Sequence, residues 1–221
     1  MILHATTAVA FLSALGAIFF YAPVEANQGI VQKIFYIHVA SAFTMYIGFF
    51  IGFLCALLYL LEKKLLWDEL AVTAIEVGFV FCTGVLLTGP IWARPIWGAW
   101  WDWEPRLTTT LLLWLLYASY LVLRGYFGIS PRGRTTTSIV AVLAFLDVPL
   151  IHFSVRLWRG IHPSVMGSGR GGGMPFSMQL TLAISFLATA LLFFLLLTIR
   201  FRLEISANRL VALRLKRSEE S

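Results

Sequence analysis

Residues 92–106 read Trp-Ala-Arg-Pro-Ile-Trp-Gly-Ala-Trp-Trp-Asp-Trp-Glu-Pro-Arg and separate two long apolar runs. This tryptophan segment holds five of the chain's eight tryptophans, namely Trp92, Trp97, Trp100, Trp101 and Trp103. Tryptophan rings anchor helices at the headgroup level of a bilayer, and they also offer a stacking surface to a flat ligand. A membrane belt needs one or two tryptophans per helix end, whereas this segment is denser and is interrupted by Gly98 and by charges. Both interpretations, a membrane belt and a binding platform, stay open at this point.

The composition indicates a membrane protein. Of the 221 residues, 59% are hydrophobic and 13% are charged, which is far more apolar than a soluble domain. The formal net charge of +6 does not indicate a nucleic-acid partner, because most of the positive charge falls in one set of loops. Cys55 and Cys82 lie in apolar runs without a metal-type spacing, so we expect buried free thiols.

Six apolar stretches are long enough, or nearly so, to cross a bilayer as helices, which takes about 20 residues each. They cover about residues 2–22, 34–61, 70–92, 107–123, 135–155 and 176–199. The sequence therefore predicts an all-α integral membrane protein with one six-helix transmembrane domain over residues 1–199. Residues 200–221 are a charged tail that either continues the last helix or lies along the membrane surface. No Lys or Arg precedes the first run, which favours a permanent span over a cleaved signal peptide.

The placement of Lys and Arg predicts the orientation of the spans. The loops on the side of the membrane opposite the tryptophan segment, together with the tail, carry more Lys and Arg than the other loops. These residues are Lys63, Lys64, Arg124, Arg132, Arg134, Arg200, Arg202, Arg209, Arg214, Lys216 and Arg217. The richer set is expected in the cytoplasm, so both termini are cytoplasmic. The tryptophan segment and the loops at residues 27–33 and 156–175 then lie on the outer, periplasmic side.

Two histidines at the outer side are candidate ligands for a haem iron. His38 stands at the start of the second span and His162 in the loop after the fifth. Neutral imidazole is a natural axial ligand for haem iron. His152, near the outer end of the fifth span, competes with His162, and the residue chemistry leaves that choice open. Four arginines are suited to pairing with haem propionates: Arg94, Arg106, Arg156 and Arg159. A histidine at a helix end is more often a hydrogen-bonded surface residue, and His4 has no companions and is interpreted as structural.

Two carboxylates inside spans, Glu76 and Asp147, allow an alternative function. A charge at the bilayer centre costs about 2.5–3.5 kcal/mol on insertion scales, so both should face the bundle interior or lie near its edges. Helix packing or a carboxyl kept neutral by burial is favoured over a proton path or a subunit contact. A transporter or ABC-type permease subunit would use such a polar path and keep the tryptophans only as a belt. Pro149 is expected to kink the fifth span, and the Gly-rich run 167–173 is expected to be a flexible outer loop.

Three motifs in order resemble a known family. The run Trp97-Gly-Ala-Trp-Trp-Asp-Trp-Glu-Pro-Arg-Leu-Thr resembles the WWD signature of the haem-handling proteins of cytochrome c biogenesis, the CcmC/CcmF/CcsA family. Tyr36-Ile-His-Val-Ala-Ser-Ala and Phe153-Ser-Val-Arg-Leu-Trp-Arg-Gly-Ile-His resemble the two histidine segments of its haem exporter protein C (CcmC) branch. Where the family pattern has an aspartate after the last tryptophan, this chain has Glu104, and Asp102 lies inside the motif.

The resemblance implies a haem delivery protein rather than an enzyme with redox turnover. It implies that His38 and His162 are the axial ligands of a non-covalent, transiently held b-type haem. It also implies that the porphyrin contacts the tryptophan segment through Trp97, Trp100, Trp101, Trp103, Asp102, Glu104, Arg94 and Arg106. The implied partners are a membrane-anchored haem chaperone (CcmE-like), an ABC ATPase with its membrane subunit (CcmA- and CcmB-like) and a small helical protein (CcmD-like), within the lipids of a bacterial inner membrane.

Overall fold

Six spans lie side by side in the computed structural model, which describes residues 1–127, 129–158 and 174–219. The helical stretches within those ranges that are long and apolar enough to cross a membrane are Ile2–Tyr21, Ile30–Glu62, Leu65–Trp97, Pro105–Phe127, Pro131–Ser154 and Phe176–Val211. These helices confirm the predicted all-α class and the six spans, and most of them extend several residues beyond the apolar runs that predicted them. The chain is therefore a multi-pass membrane protein.

The spans are built from seven α-helices in the described ranges. Their bounds are α1 Ile2–Gly16, α2 Ile34–Glu62, α3 Leu65–Trp97, α4 Pro105–Phe127, α5 Pro131–Phe145, α6 Asp147–Trp158 and α7 Phe176–Glu219. A π-helical turn, Ala17–Tyr21, extends α1, and a 3-10 turn, Ile30–Lys33, precedes α2. The 44 residues of α7 form one helix, about 66 Å long at 1.5 Å per residue. Of the two arrangements left open for the charged tail, the structure has the continued helix.

The fifth span is broken where Pro149 was expected to kink it. Helix α5 ends at Phe145, Leu146 forms a turn, and α6 begins at Asp147. Proline has no N–H to donate to the carbonyl of Phe145, and its ring crowds that carbonyl. The predicted kink is thus confirmed as a break between two helices.

Small residues bring α2 and α3 into close contact. A Cβ added at Gly48 would lie 2.8 Å from Gly78 Cα, and one added at Gly52 would lie 2.5 Å from Ile75 Cγ1. The two α2 glycines form a Gly-x-x-x-Gly pattern, which lets two helix backbones approach each other within a membrane. Phe49, between them, stacks on Tyr117 of α4 with ring centroids 3.8 Å apart. This packing sets the register between α2 and α3, and both helices contribute to the candidate site.

Buried and half-buried charges join four helices at the end of the bundle remote from the tryptophan segment. Six side chains form this Asp68 cluster: Asp68 and Glu76 of α3, Arg124 of α4, Arg134 of α5, and Arg200 and Glu204 of α7. Both guanidinium nitrogens Nη1 and Nη2 of Arg124 donate to Asp68 at 2.7 Å, and Arg134 donates to the same carboxylate. Glu76 pairs with Arg200, with Nε and Oε2 2.6 Å apart. This ion pair joins α3 to α7 and fits helix packing, one of the two roles that the sequence favoured for Glu76.

The expectations about the two cysteines, His4 and the first apolar run can also be compared with the structure. Cys55 and Cys82 are buried free thiols, as expected. His4 lies on α1 and is exposed. The same helix packs against α7, where the Thr7 hydroxyl reaches the carbonyl of Leu191 at 3.5 Å. The first run is thus a packed member of the bundle.

A candidate haem site at the tryptophan end

We call the end of the bundle where α3 ends and α4 begins the tryptophan end. His38 lies there, in the second turn of α2, and its side chain is buried. Its Nδ1 is 2.8 Å from the hydroxyl oxygen of Thr88. Its ring meets the edge of Trp92, with centroids 5.7 Å apart. The Gly89 backbone lies beside the ring, since a Cβ added there would lie 3.5 Å from His38 Cε1. All three neighbours belong to α3, so this helix supports the imidazole.

Trp92, the first residue of the tryptophan segment, faces into the protein. Its ring contacts Phe35 with centroids 6.0 Å apart, and its indole N–H donates to Gln28 Oε1 at 3.0 Å. Trp92 thereby joins α3 to the start of α2 and to the preceding loop. A membrane belt does not explain this tryptophan, which instead forms a wall beside His38.

The tryptophan segment is partly helical rather than a simple connection between spans. Helix α3 continues to Trp97 and contains Pro90 and Pro95. It ends at Gly98, whose φ of +78° is a conformation that favours glycine. The Arg94 guanidinium donates to the Gly98 carbonyl. The expected boundary near Trp92 is therefore wrong by about one and a half turns, because the αL glycine and not the composition ends the helix.

The next tryptophans differ in exposure. Trp100 is 60% exposed and Trp103 is 73% exposed, whereas Trp101 is half-buried. Trp101 and Trp103 meet edge to face, with centroids 5.8 Å apart. The indole N–H of Trp101 is buried and has no hydrogen-bond partner among the residues that the structure describes. The turn thus offers exposed aromatic faces next to an unused donor, a combination that fits a flat ligand with acceptor groups.

The charged residues of the segment differ in their surroundings. Asp102 is exposed, whereas Glu104 is buried immediately before Pro105, the first residue of α4. A carboxylate at a helix N-terminus is favoured by the helix dipole, which gives Glu104 a structural reason for its place. Arg94 is exposed, and Arg106 is half-buried on α4. The two carboxylates are therefore not equivalent, although the resemblance placed both at the porphyrin.

Several predicted residues fall outside the described residues. These are His162, Arg159 and the Gly-rich run 167–173, together with the side chain of Arg156. The rival His152 lies on α6 with its side chain exposed, and its ring contacts Tyr46 with centroids 5.5 Å apart. The structure therefore joins His38 to Trp92 and Trp101 to Trp103, and the choice of a second ligand stays a prediction.

The sequence analysis did not single out Thr88 as a neighbour of His38, and it did not predict that the Trp92 ring packs inside the protein. Thr88 lies 50 residues from His38 along the chain, and nothing local marks it. The Gly48-Phe-Phe-Ile-Gly52 pattern is a signal that α2 packs closely against another helix. It identifies neither that helix nor the contact between His38 and Thr88.

Fold and site define a polytopic, all-helical membrane protein with a supported histidine and a tryptophan-rich turn at one end. Residues 1–216 match the family model of CcmC, Heme exporter protein C. The Heme exporter protein C of Rhodobacter capsulatus is 31% identical over 212 residues, which is 95% of this chain and 87% of the relative. That of Bradyrhizobium diazoefficiens is 32% identical over 196 residues, covering 88% and 74%. A putative ccmC-like mitochondrial protein of Marchantia polymorpha is 30% identical over 183 residues, covering 83% and 76%. The chain belongs to the haem exporter protein C (CcmC) family.

Proposed function

We propose that this protein binds haem at the outer face of a bacterial inner membrane and presents it to a membrane-anchored haem chaperone. Family membership gives the chain a role in haem handling for cytochrome c biogenesis. The finer proposal depends on one observation. His38 is buried at the tryptophan end, with its Nδ1 on Thr88 and its ring against Trp92, and the exposed tryptophans lie at the same end.

The residues at this end suit haem as a bound cargo. Imidazole nitrogen is a haem-iron ligand, and two of them give a six-coordinate iron; we assign these roles to His38 and His162. Trp100 and Trp103 present aromatic faces for the porphyrin. The Trp101 indole N–H and the guanidinium groups of the segment are donors for carboxylates. These donors are Trp101, Arg94 and Arg106.

An accessible site favours delivery over storage or redox turnover. The exposure of Trp100 and Trp103 means that a ligand on their faces is within reach of a second protein. We propose that this protein is the chaperone (CcmE-like), which takes the haem. The sequence carries no P-loop, so we assign ATP use to a CcmA- and CcmB-like partner pair, with a CcmD-like small subunit. The positive-inside pattern supports a periplasmic position for the site.

The ion pair of Glu76 counts against the permease alternative. A polar path for a transported substrate would need several polar groups lining it near mid-membrane. Glu76 is paired with Arg200 at the remote end of the bundle. Asp147 remains, buried and without a hydrogen-bond partner among the described residues. One carboxylate does not make a path, so haem delivery is the better supported function.

Removal of either proposed ligand is expected to abolish stable haem binding. His38→Ala or His162→Ala should lower haem affinity by more than about 100-fold, since loss of a mere supporting partner already costs about 10–100-fold in metal affinity. The proteins are produced with the chaperone, purified in detergent, and measured by the reduced absorption spectrum and by covalent haem on the chaperone. His4→Ala and His152→Ala are the matched controls and should retain both signals.

The same experiment separates the competing functions. Wild-type protein with a low-spin bis-histidine spectrum that both ligand variants lose supports the proposal. If both variants carry haem and load the chaperone as well as wild type, the ligand assignment is wrong. If the wild-type protein is colourless and also fails to load the chaperone, the permease function is favoured and the tryptophans are a belt.

A further inference from the structure

We propose that Thr88 is the positioning residue that fixes the tautomer and the orientation of His38. The inference deepens the proposed function, and it rests on His38 being an iron ligand. Thr88 is assigned no contact with the iron or the porphyrin and acts through the imidazole alone. Its distance to His38 Nδ1, 2.8 Å, is that of a well-formed hydrogen bond.

The direction of this hydrogen bond follows from the second contact of the Thr88 hydroxyl. Thr88 Oγ1 is also 2.8 Å from the carbonyl oxygen of Gly84 and 3.3 Å from that of Val85. A carbonyl only accepts, and a hydroxyl has a single hydrogen. That hydrogen is therefore donated to the helix carbonyls, and the hydroxyl oxygen accepts from His38 Nδ1–H. A neutral imidazole protonated at Nδ1 has its lone pair on Nε2, the nitrogen that then binds the metal.

The orientation of the ring is set by the same face of α3. Thr88 holds Nδ1, the Gly89 backbone lies beside Cε1, and Trp92 meets the ring edge to face. Helix α3 is in turn held against α2 by the close glycine contact between Gly48 and Gly78. A hydrogen bond at Nδ1 is the contact that distinguishes the two ring flips, because packing alone treats the nitrogen and carbon edges almost alike. Without the Thr88 hydroxyl, His38 should therefore populate both tautomers and both ring flips, while the packing of α2 on α3 stays the same.

Thr88→Val tests this role because it keeps the shape of the side chain and removes the acceptor. We expect haem affinity to fall about 10–100-fold, the range found for supporting partners of metal-bound histidines. The reduction potential of the bound iron should rise, because an imidazole without its N–H partner is a weaker donor to ferric iron. Thr88→Ser keeps the hydroxyl and should restore both properties. The matched control is Thr83→Val on the same helix, whose hydroxyl accepts from Trp114 Nε1 at 2.9 Å.

A haem-free measurement makes the test independent of delivery. The protein is labelled with ¹⁵N-histidine and placed in lipid nanodiscs, and the His38 signal is identified by its loss in His38→Ala. Wild type and Thr88→Ser should show His38 protonated at Nδ1, and Thr88→Val should show a mixture of tautomers. His38 protonated at Nε2 in wild type would overturn the inference, even if Thr88→Val failed to fold.

The outcomes also separate this inference from the proposed function. If His38→Ala binds haem like wild type, the proposed ligand is wrong. If His38→Ala loses haem while Thr88→Val behaves like Thr83→Val in affinity, potential and tautomer, the function stands and the role of Thr88 is refuted. If Thr88→Val loses haem affinity and the single Nδ1-protonated tautomer, and Thr88→Ser keeps them, both the proposed function and the role of Thr88 are supported.

Discussion

Asp68→Ala is expected to lower the unfolding free energy by about 3–5 kcal/mol, the cost of removing one partner from a buried ion pair. Asp68 is 1% exposed and accepts hydrogen bonds from two buried arginines, Arg124 and Arg134. Its removal leaves two guanidinium charges at the meeting point of α3, α4 and α5 with one less carboxylate to balance them. Glu204 also contacts Arg124, at 3.5 Å, but Asp68 is the carboxylate that bridges the two arginines.

The measurement is thermal or denaturant unfolding of the purified protein in one detergent. Glu62→Gln is the matched control because Glu62 pairs with Lys64 at 2.8 Å on the surface, where the two side chains are 38% and 68% exposed. An exposed pair contributes at most about 1 kcal/mol, so the control should unfold close to wild type. Equal stability of Asp68→Ala and Glu62→Gln would show that the Asp68 cluster does not hold the four helices together.

Replacing Trp100 and Trp103 together by alanine is expected to lower haem affinity at least about tenfold without a loss of stability. Aromatic pairs contribute about 0.5–1.5 kcal/mol each beyond the area they bury, and about 1.4 kcal/mol is a factor of ten in affinity. Both side chains are more than half exposed, at 60% and 73%, so their removal costs the fold little. Haem titration and thermal unfolding of the same preparation measure the two effects.

A control pair distinguishes a binding platform from a membrane belt. Tyr126 and Phe127 are exposed aromatic residues at the other end of α4, and Tyr126→Ala with Phe127→Ala likewise removes two exposed aromatic rings. We expect haem affinity of this control to equal that of wild type. Unchanged affinity in the Trp100 and Trp103 variant as well would assign those tryptophans to the membrane belt.

Length and hydrophobicity predicted the spans because each apolar run must satisfy its own backbone hydrogen bonds in lipid, which requires a helix. The break in the fifth span was predictable for a similar local reason, the missing N–H of Pro149. The helix ends were less predictable. Helix α3 passes the apolar boundary near Trp92 and ends only where Gly98 takes a positive φ, and a sequence does not state which glycine will do so.

Contacts between helices could not be predicted from the sequence because they depend on how each helix is rotated about its axis. The His38–Thr88 hydrogen bond joins α2 to α3, and the Asp68–Arg124 pair joins α3 to α4. Hydrophobic periodicity is weak when a helix is apolar all round, as membrane spans are. The sequence motif made His38 a candidate ligand, but the hydrogen bond between His38 and Thr88 was visible only in three dimensions.

Magnetic circular dichroism of the ferric haem complex, for wild type and for His38→Met, tests the assignment of His38 most directly. Its near-infrared charge-transfer band reports the pair of axial ligands rather than the amount of haem. We predict a bis-histidine band in wild type and a histidine–methionine band in His38→Met. The same bis-histidine band in both proteins would contradict the assignment and would place the iron on other histidines.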